Sequence, residues 1–231
     1  MVLKGKVNNI ENGMVSSLRA MHVATARFNM HNDNVSGFDK IGYQRQEAVI
    51  SSFAEFLGID GLAQTTNDEV GRIAVSDNPL DVAITEKGYF QHLSNDGIKL
   101  SRDGRFKINK EGDLLTLAND KVLSTSGSPI KLPFLPDDLK DIKIDDNGKI
   151  TIYNKTTNEM EYVDSISVVS NNNVAVVNPH LKQGYKEYSN VSLQEEFINI
   201  FPITKNFDAN RQMFIIQSNN LSKVISEIGK V

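Results

Sequence analysis

The stretch from Leu193 to Ile228 constrains this chain most. Steps of four and three residues along it land on Leu193, Phe197, Ile200, Thr204, Phe207, Arg211, Phe214, Ser218, Leu221, Ile225 and Ile228. One of the two heptad tracks is apolar throughout: Leu193, Ile200, Phe207, Phe214, Leu221 and Ile228. The other is mixed. A seam kept for about five heptads marks a helix that packs along another helix. Such a helix cannot bury its seam alone, so the chain needs a partner for it.

The N-terminal part offers one. Residues near 6–31 read as a helix whose Val7, Ile10, Met14, Leu18, Met21, Thr25 and Phe28 share a face. Gly13 weakens its interior. The competing reading is a helix packed only on its own domain. Beyond it, Asn29, Asn32, Asp33, Asn34 and the run Ser36-Gly37-Phe38 predict a helix stop and a tight turn, with Gly37 at positive φ.

Between the two helical stretches the texture changes. Val49, Ile50, Phe53, Phe56 and Leu57 keep a helical or mixed spacing that Gly58 and Gly61 break, and Thr65 to Asp68 reads as surface loop. A boundary falls near 62–72. From about 72 to 184 short apolar runs alternate with turns. Candidate strands are Arg72–Val75, Asp81–Ile84, Tyr89–Leu93, Ile98–Leu100, Arg105–Ile108, Leu114–Leu117, Ile142–Ile144, Lys149–Tyr153, Ile166–Val169 and Val174–Val177. Asn78-Pro79, Asn95-Asp96-Gly97, Asp103-Gly104 and Asp145-Asp146-Asn147-Gly148 punctuate them. The expected fold class is α+β: N- and C-terminal helices pairing as a coiled-coil-like domain, with an antiparallel β-rich middle domain inserted between them. The expected division is 1–65, 66–186 and 187–231.

No catalytic constellation stands out. The four histidines, His22, His31, His92 and His180, are scattered singly without a metal-binding spacing. Cysteine is absent, which removes disulfides, thiolate catalysis and Cys-based metal sites together. The acidic run Asp137, Asp138, Asp141, Asp145 and Asp146 invites a calcium reading. Counted from Asp141, however, Asp146 holds the sixth place, where an EF-hand loop needs Gly, and Ile152 the twelfth, where it needs Glu. A solvated hairpin turn accounts for the run better. Phosphate-binding glycine loops are missing, and a net charge of -4 gives no footprint for nucleic acid. No cofactor, metal or small-molecule substrate is expected. No apolar run approaches the roughly 20 residues that span a bilayer, and the N-terminal residues are too polar for a signal peptide. A cytoplasmic chain, or one exported without a cleaved signal, is expected.

Three stretches resemble one family, the axial proteins of the bacterial flagellar rod and hook. The first is Gly13-Met14 with the later Asn29, Asn32, Asn34 and Gly37-Phe38. Here Asn34-Val35 stands where the family has Asn-Thr, and Gly42-Tyr43-Gln44-Arg45 aligns equally well with its Gly-Phe/Tyr-Lys-Arg. The second and most specific is Asn78-Pro79-Leu80-Asp81-Val82-Ala83-Ile84, Gly88-Tyr89-Phe90-Gln91 and Ser101-Arg102-Asp103-Gly104-Arg105-Phe106. Its residues also read physically, as a turn with an Arg102–Asp103 ion pair. The third is Ser189-Asn190-Val191 with Leu193, Glu195, Glu196, Phe207, Ala209 and Asn210. Ser189 or Asn190 is its expected N-cap. Pro202 within the helix and Thr204-Lys205 in place of Gln-Arg depart from the family's pattern.

The resemblance implies a non-enzymatic rod-type subunit that stacks helically with itself and with other rod and hook proteins. It implies export through the flagellar type III apparatus and a place in the basal body. The implied assembly interface comprises Ile10, Met14, Leu18, Met21, Phe28, Asn29, Asn32, Asn34, Gly37 and Phe38 on the N-terminal side. On the C-terminal side it comprises Leu193, Phe197, Ile200, Phe207, Asn210, Phe214, Leu221, Ile225 and Ile228. A hook-type subunit, a periplasmic glycan-acting enzyme and a monomeric binding module are the alternatives.

Overall fold

The computed structural model describes residues 2–50 and 62–229, with side chains described at 12–49 and 63–229. The expectations at Phe53, Phe56, Leu57, Gly58 and Gly61, and those for the side chains of Val7, Ile10 and Ile50, lie outside these residues. The fold is α+β, with a helix at each end and a β-rich middle. It divides into two compact units: one of Met1–Ser36, Gln46–Thr66 and Ser192–Val231, the other of Gly37–Arg45 and Asn67–Val191.

The first unit holds helix α1 (Val2–Gly37), an antiparallel hairpin of β1 (Gln46–Ile50) and β2 (Leu62–Thr66), and helix α2 (Leu193–Ile228). Three sequence expectations need correction here. The Asn-rich run does not stop α1, which continues through Asn29, Asn32 and Asn34 to Gly37. The backbone-seeking amide of Asn34 is occupied elsewhere: it exchanges two hydrogen bonds with the main chain of Gln46. The left-handed residue is Gly42, at φ 68°, not Gly37, against which the Tyr43 ring packs. Thr65 and Thr66 are strand, not loop, because β1 supplies a ladder for them.

The second unit is built from short strands. They are β3 (Ile73–Val75), β4 (Val82–Ile84), β5 (Tyr89–Ser94), β6 (Gly97–Ser101), β7 (Phe106–Ile108), β8 (Leu114–Thr116) and β9 (Lys121–Val122). They continue with β10 (Ile142–Ile144), β11 (Lys149–Asn154), β12 (Glu159–Ser165), β13 (Val168–Val169), β14 (Leu181–Gln183) and β15 (Tyr185–Glu187). A six-stranded antiparallel sheet runs β13-β5-β9-β8-β7, with β6 on the other edge of β5. A three-stranded sheet, β10-β11-β12, and the pairs β14-β4 and β15-β3 complete the unit. Apolar side chains from these sheets form one buried cluster around Phe90 and Phe106, whose rings meet edge to face at 5.2 Å. The acidic run near 145 is a hairpin turn: the Asp145 carboxylate accepts from the amides of Asn147 and Lys149.

β14 and β15 are three residues each with Lys beside Gln or Glu, too short to show an alternation, and β12 places Glu159, Glu161 and Asp164 among its few apolar residues. Val174–Val177 is not a strand. It makes a single bridge, Val169 to Ala175, and Val177 is 87% exposed.

Arg102 holds this unit together. Its side chain is 1% exposed, and its guanidinium is forked onto the equally buried Glu187 at 2.7–2.8 Å. It also donates to the carbonyls of Ile84, Glu86 and Gly88, while Glu187 accepts from the amide of Gly71. A buried charge is tolerable only when its donors are satisfied in this way. The expected Arg102–Asp103 pair is therefore replaced. Asp103 instead pairs with Arg105 at 2.6 Å, because the side chain of Arg102 is committed to the core. Gly104 follows because Val82 crosses it: the Val82 amide donates to the Gly104 carbonyl at 2.9 Å, and a Cβ on Gly104 would strike the Val82 carbonyl.

Two predictions follow from this core. Glu187→Ala leaves Arg102 charged and unpaired, so urea denaturation of the variant is expected to lose about 3–5 kcal/mol of stability. His92 is buried, and burial holds its imidazole below the ordinary value of 6.5, with the nearby Asp120 opposing in part. The unfolded chain therefore binds this proton more readily. Stability is full above about pH 6.5 and falls as the pH drops through that value. Thermal melts should show that decline in the parent chain and a shallower one in His92→Gln.

Candidate assembly surface

The two long helices lie side by side within the first unit, with opposite chain direction. Near one end His31 Nδ1 is 2.5 Å from Glu196 Oε2, and Asn34 donates to the same oxygen at 3.2 Å. Farther along, Ala24 and Phe28 on α1 share a groove with Ile203 and Phe207 on α2. Toward the other end Gly13 lies against Gln217, whose amide a Cβ would strike. The numbers rise on one helix as they fall on the other.

α2 begins at Ser192, whose hydroxyl accepts from the amide of Glu195 at 3.5 Å. Glu195 and Glu196 in its first turn offset the helix dipole. The expected cap at Ser189 or Asn190 is corrected on physical grounds. The Asn190 side chain is used up by the amide of Arg45 and the carbonyls of Asn67 and Glu69. The helix runs unbroken through Pro202.

The line that α1 turns inward is Gly13, Ser17, Ala20, Ala24, Arg27, His31 and Asn34, all buried or half-buried. On α2 the inward tracks are Ile200, Phe207, Phe214 and Leu221, and beside them Glu196, Ile203, Asn210, Gln217 and Val224. Most of this line is small or polar. The apolar track read from the sequence is half-buried at Leu193, Ile200, Phe207, Phe214 and Leu221. The mixed track sits one residue too far along, about 100° around the helix. Phe197 and Ile225 on it are exposed, as is Ile228 at the helix end.

The same rotation holds on α1. Met14 and Met21 are half-buried, Leu18 is 53% exposed, and Phe28 is exposed as well. Asn29 and Asn32 face solvent, and Asn34 is fully buried. Gly37 and Phe38 fall in the other unit, Gly37 buried and Phe38 exposed. Asn210 is half-buried, and the side chain of Ile10 lies outside the described residues.

The helix pair thus carries much of its oil outside. Phe197, Ile198 and Phe201 cluster on one turn of α2, with Met213, Ile215 and Ile216 farther along, all exposed. The groove of about 290 Å³ is also open, lined by Ala24, Thr25, Phe28, Ile203, Thr204, Phe207 and Asp208. Within the seam Arg27 Nε and Gln217 Oε1 are buried without a hydrogen-bond partner. Among the described residues no group of three or more His, Asp or Glu side chains could hold a metal ion, and no helix is long and apolar enough to cross a membrane.

Residues 83–152 match the family described as the flagellar hook protein FlgE/F/G D1 domain. The chain is 24% identical to the flagellar basal-body rod protein FlgF of Rhizobium meliloti (strain 1021), over 95% of this chain and 99% of that protein. It is 27% identical to the flagellar basal-body rod protein FlgG of Bacillus subtilis (strain 168), over 64% of each. It is 22% identical to the flagellar hook-basal body complex protein FlhO of the same organism, over 95% of this chain and 99% of that protein.

The chain is similar to flagellar basal-body rod proteins over nearly its whole length.

The most specific of the family-like stretches now has a physical account. Asn78 and Asp81 close the turn before β4 through Asn78 Nδ2 to Asp81 Oδ1 at 2.7 Å, and Ser76 donates to the same carboxylate at 2.5 Å. Arg102 and Gly104 hold the strands that follow. These residues shape the β unit, and the exposed apolar side chains of the first unit lie on its helices. Sequence reasoning missed His31 as a partner of Glu196. Its one available signal was a Glu falling beside an apolar track.

Glu196→Ala should leave His31 and Asn34 without their buried acceptor, a loss of about 2–4 kcal/mol. Hydrogen exchange is expected to quicken in α1 and α2 and to stay unchanged in the strands of the second unit.

Proposed function

We propose that this chain is a structural subunit of the flagellar rod that assembles through its two terminal helices. The terminal helices α1 and α2 form the adhesive part, paired as in a coiled coil. The β-rich middle forms a sheet-built spacer. The partners are further copies of the chain and neighbouring axial proteins of the rod and hook, and the chain reaches the basal body through the flagellar export apparatus. The names of the relatives support the rod reading. The observation that carries the assembly reading is the uncovered apolar face of α1 and α2, with Leu18, Phe197, Ile198 and Phe201 in water. A contact that joins unlike patches does not close on itself and so builds a filament, as a drive shaft requires.

The test is Phe214→Asp. Phe214 is half-buried on the inward track of α2, and an acid there carries an unpaired charge into the seam. The variant should keep the thermal transition of its β unit and form no filaments by negative-stain imaging. Filaments like those of the parent chain, or normal motility of cells carrying the variant, would contradict the proposal.

A further inference from the structure

We infer that the β1–β2 hairpin and the start of α2 are coupled through Asn34, so that docking of α2 on α1 and ordering of the hairpin occur as one event. The coupling lies within the protomer and needs no second copy.

A chain of side chains carries it. His31 Nδ1 and Asn34 Nδ2 both reach Glu196 Oε2, at 2.5 and 3.2 Å. Asn34 Nδ2 also donates to the Gln46 carbonyl at 2.9 Å, and Asn34 Oδ1 accepts from the Gln46 amide at 2.8 Å. Beyond it, the side chains of Gln46 and Thr66 meet at 3.3 Å. The chain thus runs from α2 through α1 to both strands of the hairpin, all within the first unit. Asn34 and Glu196 are fully buried and His31 is 5% exposed, so water does not stand in for a lost partner.

The hairpin explains why Asn34 is placed where it is. The Asn67 amide bonds the Arg45 carbonyl at 2.8 Å, so the next pair, Gln46 with Thr66, turns its main-chain groups away from the opposite strand. Asn34 takes both outward groups of Gln46, as a third strand would. A backbone N–H needs an acceptor, which sets Oδ1 on the Gln46 amide. The two hydrogens on Nδ2 then face the Gln46 carbonyl and Glu196. One planar amide answers to both neighbours, and it cannot turn toward one without leaving the other. A two-stranded hairpin is marginal by itself in water, so support at its mouth decides how well it is ordered.

Amide hydrogen exchange on the full chain tests the coupling in both directions. Glu196→Ala should quicken the ladder amides of β1 and β2 about five- to tenfold, together with the helices. Leu221→Ala loosens the same helix pair at the far end of α2 and should leave the hairpin at the parent's rates. Gln46→Pro approaches from the other side. Proline is tolerated at the first residue of a strand, and here it removes only the N–H that Asn34 accepts. Coupling is reciprocal, so this variant should quicken the amides of Glu196 to Ile200 about two- to threefold. Hairpin amides that keep the parent's rates in Glu196→Ala while the helices quicken, or that respond as strongly to Leu221→Ala, overturn the coupling. If Glu196→Ala unfolds the helices outright, Gln46→Pro decides alone, and unchanged rates at the start of α2 overturn the coupling as well.

Discussion

Everything in the first unit depends on where its apolar side chains are sent. A pair of helices has one line of contact, and each spends that line on whatever side chains point inward. Here α1 spends it on Gly13, Ser17, Ala20, Ala24 and Asn34, residues that bring backbones close but bury little oil. The polar knot of His31, Asn34 and Glu196 fixes the register of the pair, since a slip would leave a buried carboxylate without donors. Within the pair, apolar burial comes from Met30 and Ile203 and from the half-buried Ile200, Phe207, Phe214 and Leu221, while Phe197, Ile198, Phe201, Met213 and Ile216 stay exposed.

The second unit follows the opposite policy. Its oil is inside, around Phe90 and Phe106, and its buried charge is fully satisfied. Arg102 ties the carbonyls of Ile84, Glu86 and Gly88 to Glu187 on the last strand, so residues far apart in the chain are joined by one side chain. A spacer that holds itself together can carry load without help from neighbours. The division of labour between an adhesive helical part and a self-sufficient sheet part is the physical content of the rod-subunit reading.

Much of this was legible in the residues alone. The helical ends, the β-rich middle and the hairpin turns at Asn95-Asp96 and Asp145–Gly148 follow from periodicity and turn chemistry. Four things were not. The mixed heptad track was displaced by one residue, because the pattern locates an apolar face but does not say whether the protomer or a neighbour buries it. Asn34 and Glu196, polar residues beside an apolar pattern, give no hint that they are the buried ones until their mutual bonds are seen. The ion pair of Arg102 was assigned to the adjacent Asp103, because sequence proximity cannot reveal Glu187 across the sheet. The strands β14 and β15 are too short for alternation to mark them, and the three carboxylates of β12 mask its few apolar residues.

The measurement that bears most directly on this account is hydroxyl-radical footprinting of the free subunit and of the assembled rod. The account predicts that Phe197, Phe201 and Met213 are modified readily in the free chain and become protected on assembly, while Phe90 and Phe106 are protected in both. Equal modification of Phe197, Phe201 and Met213 before and after assembly would contradict it.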